Sequence, residues 1–180
     1  MKKILIIIAC AVVALNVSAQ IEQVRLQASG LTCSMCSKAI YKALEKLSLT
    51  DSISSNISES TYTMDFKKDA SIDFDAIRRA VENAGFSVAK MEVKANFTSV
   101  SIRNDAHIVL NGKSLHFLDV KEQVLNGEHM FQIVDKNFVP AKTYKKYAAT
   151  TQMECVKTGI MKPCCHNSGA VGTRIYHVTV

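Results

Sequence analysis

The chain has 180 residues, with 22 Lys and Arg against 16 Asp and Glu and a formal net charge of +6. That length supplies one ordinary domain or two small ones with a buried core. Apolar residues at 48% and charged residues at 21% exclude a disordered or fibrous chain. The charge excess is too mild, and Arg too dispersed, for nucleic-acid binding.

Residues 1–19 read as an export signal. Met1-Lys2-Lys3 is a positive start, Ile4 to Leu15 is apolar without a charge, and Val17-Ser18-Ala19 ends in small residues, so cleavage is expected before Gln20. The apolar run is short against the roughly 20 residues of a membrane span. A retained anchor, or a lipid attached at Cys10, is the alternative. Export, most simply to a periplasm, places the remaining cysteines in a compartment that permits disulfides.

The next elements alternate. Ile21, Val24 and Leu26 begin a strand that ends at Ser29-Gly30. Met35, Ala39, Ile40, Ala43, Leu44 and Leu47 recur at helical spacing. Ile53 and Ile57 sit in a strand-compatible stretch, and Thr61 to Phe66 alternates as a strand does. Asp73 is the expected N-cap of a second helix that turns Phe74, Ile77, Ala80, Val81 and Ala84 inward and stops at Gly85. A last strand holds Phe86, Val88 and Met91 to Val93. This is β-α-β-β-α-β, a ferredoxin-like α+β domain over residues 21–94.

Residues 98–180 read as a small, mainly β domain whose order the sequence does not supply. Short strands are expected at 100–102, 107–110, 115–118, 130–134 and 175–180, with turns at Asn111-Gly112 and Asn126-Gly127 and a helix over Ala141 to Ala149 after Pro140. The charge divides with the pattern. Residues 21–94 carry ten basic and ten acidic side chains, whereas residues 95–180 carry ten and six.

The chemistry concentrates at Cys33-Ser34-Met35-Cys36, where the first strand meets the first helix. Two thiols three positions apart converge on one soft ion, and the unpaired N–H groups and aligned dipoles of a helix start favour negative charge there. Two thiolates suit Cu(I) or Hg(II); tetrahedral Zn(II) would want four ligands. Redox pairs share this spacing, so thiol–disulfide exchange and a structural disulfide are the competing readings.

Gly30-Leu31-Thr32-Cys33-Ser34-Met35-Cys36 resembles the G-M-T-C-x-x-C motif of the heavy-metal-associated domain family, found in copper chaperones, metal-ATPase N-termini and periplasmic mercury-binding proteins. Leu31 replaces the usual Met, which packs rather than ligates. Asn83-Ala84-Gly85-Phe86 is similar to the family's A-G-F/Y ending of the second helix. The resemblance covers residues 21–94. It implies Cys33 and Cys36 as ligands of Cu(I), or of Hg(II) or Zn(II), with Thr32 and Phe86 beside them and the Phe86 ring shielding the loop. It also implies a partner that receives the ion.

A second cluster comprises Cys155, Cys164, Cys165 and His166, with Met153 and Met161 nearby. It is either another metal site or a disulfide, most simply Cys155 with Cys164 or Cys165. Lys38, Lys42 and Lys46, at i, i+4 and i+8, form a basic stripe that either docks an acidic partner or is an ordinary solvated face. His107, His116, His129 and His177 show no ligand spacing and read as surface or strand residues. No catalytic triad, paired-carboxylate motif, phosphate loop or nucleotide fingerprint is evident, so no enzyme is expected.

Overall fold

A computed structural model describes residues 20–180 apart from Thr32, Leu49, Lys68, Asp69, Cys164 and residues 166–168. The expected export signal lies outside these residues, as do Thr32, Cys164 and His166.

Strand β1 (Gln20–Ser29) buries Ile21, Val24, Leu26 and Ala28. The three-residue step from Ile21 to Val24 breaks strict alternation, and a register shift between Ile21 and Gln23 absorbs it. Helix α1 (Ser34–Glu45) buries Ser37, Ile40 and Leu44. Ser37 is tolerated inside because the Tyr62 hydroxyl donates to its Oγ at 2.9 Å. Two helical positions expected to face inward differ: Met35 and Ala39 are exposed. Strands β2 (Thr50–Asn56) and β3 (Thr61–Phe66) follow, and helix α2 (Phe74–Asn83) starts where the Asp73 carboxylate accepts the Ala76 N–H at 3.0 Å. Gly85, at φ +90°, takes the left-handed turn that ends it.

Strand β4 is longer than expected. It runs without interruption over Ser87–Ile102, 16 residues, and the expected junction between residues 94 and 98 lies inside it. Val93, Ala95 and Phe97 keep the same face buried through that junction. Strands β5 (His107–Leu110) and β6 (Lys113–Phe117) form a hairpin about Asn111-Gly112. Strand β7 (Gln123–Ile133) starts well before the expected 130–134. Asn126-Gly127 is therefore inside a strand and not a turn between strands. There β7 faces a register shift in β4 between Phe97 and Val100, with Ser99 and Gly127 both at positive φ, and the Asn126 Oδ1 accepts the Ser99 N–H at 3.3 Å. A bulge uses the same residue types as a turn, because both need the left-handed region. Helices α3 (Ala141–Ala148) and α4 (Cys155–Thr158) precede strand β8 (Ile175–Thr179).

All eight strands join one sheet in the order β2-β3-β1-β4-β7-β8-β6-β5. The first four positions are the ferredoxin-like arrangement; β7 then continues the sheet along the free edge of β4. Every pairing is antiparallel except β6 with β8. One large core lies between the sheet and helices α1 and α2 and extends to Leu115, Phe117, Tyr176 and Val178. Phe74, the first residue of α2, meets the Tyr176 ring edge-on at 5.1 Å, so α2 spans from the first half to β8. Neighbouring residues of a strand point to opposite faces. The other faces of β6 and β8, with His116, Ile175 and His177, accordingly turn to a second layer. That layer contains two smaller clusters: Cys155, Met161, Cys165 and Ile175, and Leu118, Val134 and Val156.

Candidate metal centre

Cys33 is the N-cap of α1, with extended backbone at φ −158°, and its carbonyl accepts the N–H groups of Cys36 at 3.1 Å and Ser37 at 3.3 Å. This turn puts Cys36 one helical step above Cys33. The two Sγ atoms are 3.0 Å apart, beyond the roughly 2.05 Å of an S–S bond. Cys33 is exposed and Cys36 half-buried. At metal–sulfur lengths of about 2.3 Å, two thiolates on one ion stand roughly 3.8–4.6 Å apart between tetrahedral and linear geometry. The pair must therefore part by roughly 0.8–1.6 Å to hold an ion, the larger figure for a linear two-coordinate one. An exposed Cys33 can do so by rotation about χ1.

The loop ahead of the pair is set by Gly30, at φ +88°, where a Cβ would stand 3.9 Å from Cδ1 of Phe86. The Phe86 ring thus lies against the loop that delivers Cys33, and Leu31 packs on the main core beside it. Met35, between the two cysteines, is 72% exposed, which leaves an apolar, thioether-bearing side chain at the surface next to the thiols. Lys38, Lys42 and Lys46 are all exposed. Lys42 and Lys46 edge a groove between α1 and α2 whose lining includes Ala43, Leu47 and Ala80.

The second cluster is reached by a different route. Cys155, in α4, and Cys165 are both buried in the small cluster with Met161 and Ile175. Cys155 does not stand with sulfur alone: its Sγ is 3.5 Å from Nδ1 of His116. One ligand atom from each of His107, His116 and Cys155 lies within 4.8 Å of the other two. The histidines come together by register. His107 is opposite His116 across the β5–β6 hairpin, and His116 is opposite His177 across the parallel β6–β8 pair. The rings of His107 and His116 stack at 4.2 Å, and those of His116 and His177 meet at 5.0 Å.

Oxygen acceptors orient these rings. Asp105 takes a hydrogen bond from Nε2 of His116 at 3.0 Å through its carboxylate and one from Nδ1 of His107 at 3.0 Å through its carbonyl. Asp135 holds Nδ1 of His177 at 2.5 Å. Burial pushes His116 down to about 4, His107 and His177 push the same way, and Asp105 offsets only part of this, so the imidazole is neutral near pH 7.

Sequence reasoning missed His107 and His116. The signal was available: a two-residue turn at Asn111-Gly112 pairs 110 with 113 and therefore 107 with 116.

Residues 25–87 match the family model of the heavy-metal-associated domain. Among solved structures, a putative copper-ion-binding protein from Bacillus anthracis is 24% identical with a TM-score of 0.35, the alignment covering 39% of this chain and 99% of that one. The N-terminal domain of PacS from Synechocystis PCC6803 is 22% identical, covering 37% and 92%, with a TM-score of 0.33. The yeast copper transporter domain Ccc2a is 22% identical, covering 37% and 90%, with a TM-score of 0.33. No curated protein sequence matches the chain.

Proposed function

Residues 25–87 being a heavy-metal-associated domain, we propose that this protein binds Cu(I) through Cys33 and Cys36 and hands it on or sequesters it. The observation that carries the reading is the position of the pair: two sulfurs 3.0 Å apart, one of them exposed, at the start of a 12-residue helix. Thiolates gain there from the unpaired N–H groups of the first turn, and polarisable sulfur suits a monovalent soft ion.

Accessibility sets the mechanism. A thiolate or thioether of an incoming partner approaches from the open side of Cys33 and becomes a third ligand, one cysteine leaves, a second partner sulfur binds, and the other cysteine then leaves. Each sulfur–metal bond lost is matched by one gained, so no bare ion forms. The exposed Met35 and the basic stripe of Lys38, Lys42 and Lys46 beside the loop fit a partner with an acidic rim, which the stripe would steer. Export is part of this reading, on the strength of residues 1–19. Among the described residues no helix is long and apolar enough to cross a membrane.

The test is a competition titration of the reduced full chain against a chromophoric Cu(I) chelator. The reading expects one ion withheld per chain and an affinity at least ~100-fold weaker in the Cys33→Ser/Cys36→Ser variant, since even outer partners of a ligand are worth 10–100-fold. Equal affinity in the two proteins contradicts it.

A further inference from the structure

The second layer of the C-terminal half contains a donor set that the Cys33–Cys36 pair does not use. We propose that His107, His116 and Cys155 form a separate, buried site for a borderline-soft divalent ion of the Zn(II) type. The donors come from three elements: β5, β6 and α4.

The geometry fits shared coordination. Two ligands on one tetrahedral ion, at about 2.05 Å for nitrogen and 2.3 Å for sulfur, stand roughly 3.5 Å apart. Nδ1 of His116 and Sγ of Cys155 are separated by 3.5 Å. The tautomers fit as well. Asp105 engages Nε2 of His116 and Nδ1 of His107, which directs the lone pairs of His116 Nδ1 and His107 Nε2 to be the metal-binding ones. A carboxylate or carbonyl behind each imidazole is the arrangement that orients metal-bound histidine and raises its basicity. Two imidazoles with one thiolate select zinc-like ions over the hard cations, which want oxygen.

A second, independent observation stands beside the trio. His177 is 1% exposed, its Nδ1 is held by Asp135, and its Nε2 is buried with no hydrogen-bond partner among the described residues. A buried imidazole nitrogen left in that state costs free energy unless something there accepts its lone pair. Its ring abuts that of His116, at 5.0 Å. Cys165 and Met161 add sulfur to the same buried cluster as Cys155.

An ion held here would tie the β5–β6 hairpin to α4. Its role would be to close the second layer, and burial would make its exchange slow where that of the surface pair is fast. The site differs from the Cys155, Cys164, Cys165 and His166 cluster expected from the sequence in drawing its nitrogen donors from β5 and β6.

The experiment uses the reduced full chain carrying Cys33→Ser and Cys36→Ser, so that failure of the surface pair has no bearing on it. Co(II) is titrated as the probe and then displaced by Zn(II). The proposal expects one equivalent of Co(II) with a thiolate-to-Co(II) absorption band and tetrahedral d–d bands, all erased by Zn(II), together with a Zn(II)-dependent rise in Tm. Cys155→Ala removes the thiolate band. His107→Gln, at a half-buried position that tolerates the change, weakens binding at least ~10-fold while circular dichroism stays native. Asp105→Asn weakens it by about 10-fold through the tautomer of His116. Absence of a thiolate band, an affinity unchanged by both Cys155→Ala and His107→Gln, or a disulfide mapped to Cys155 in chain isolated with its metal overturns the proposal.

Discussion

The two halves of the sheet use the same strand alternation to opposite ends. In the first half only one face is covered. Along β1 buried positions alternate with half-buried or exposed ones, and β2 has no buried residue at all. The uncovered face carries Arg25, Glu59, Lys94 and Glu128 in ion pairs open to water. In the second half β6 and β8 are covered on both faces, whereas β7 keeps exposed positions such as Val124 and Met130. All five residues of β8 are buried, as are four of the five in β6, and these two strands pair in parallel. Parallel pairs belong in interiors, where both faces are packed. The same kinds of donor atom thus end up in different settings. A thiol at a strand-to-helix junction on the open half sits at the surface; a thiol and imidazoles under the second layer are enclosed, and the rings are held by Asp105 and Asp135. Coverage of the second face, more than residue type, separates the surface pair proposed to pass an ion from the enclosed donors proposed to keep one.

Arg174 is the joint between the halves, and removing it gives the largest expected change in stability. Its Nε donates to Asp75 of α2 at 2.9 Å and its Nη2 to Asp135 at 2.8 Å, while Nη1 also reaches the Ile175 carbonyl. Burial alone would raise Asp75, but the hydrogen bond and charge of Arg174, with Tyr176 assisting, hold it below the usual carboxylate range. Arg174→Ala leaves Asp135, whose side chain is 6% exposed, without its cation. The expected loss is about 3–5 kcal/mol in urea unfolding, with the C-terminal half losing hydrogen-exchange protection first. A loss below 1 kcal/mol would mean that the halves are not coupled through this residue.

Acid sharpens the contrast through His116, which lies in the closed half. The folded His116 titrates near 4 and the unfolded residue near 6.5. Between these values the unfolded chain binds a proton that the folded chain does not, so stability falls as pH drops through that window and is at its full value above it. The groups facing His116 are His107, His177, Asp105 and Cys155. The shift corresponds to a loss of about 3 kcal/mol from pH 7 to pH 4, and His116→Gln removes that slope. Asp75 acts separately and lower: its depressed value costs stability only as pH falls through the carboxylate range. Thermal melts of the metal-free chain across pH 4–7 measure the difference.

Tyr62→Phe has the smallest effect and concerns the open half. The Tyr62 hydroxyl donates to Oγ and to the carbonyl of Ser37, at 2.9 and 3.2 Å, and so seats the first turns of α1, which carry Cys36, on β3. Its loss costs about 1–1.5 kcal/mol by chemical unfolding and leaves the acid dependence of the closed half unchanged.

The open half was nearly all legible in the sequence. Its strands and helices bury one side each, so period two and period 3.6 appear cleanly from Val24 to Val93. Met35 and Ala39 were the misfits, since Ser37 and not an alanine takes the interior position against Tyr62. The closed half was less legible for a physical reason. Strands buried on both faces do not alternate, a four-residue helix such as α4 has too few turns to show a period, and β4 kept its pattern past the point where a boundary was expected. The site divides the same way. Cys33 and Cys36 declare themselves by local spacing. His107 and His116 are one hairpin apart and were within reach, but His177 joins them through a parallel pairing that no local pattern reveals.

X-ray absorption at the copper edge, on the full chain loaded with one equivalent of Cu(I), tests the surface site most directly. The account predicts a shell of sulfur neighbours only, replaced by lighter atoms or lost when Cys33 and Cys36 are both serine. A nitrogen-dominated shell, or the same spectrum from wild type and the double variant, would contradict it.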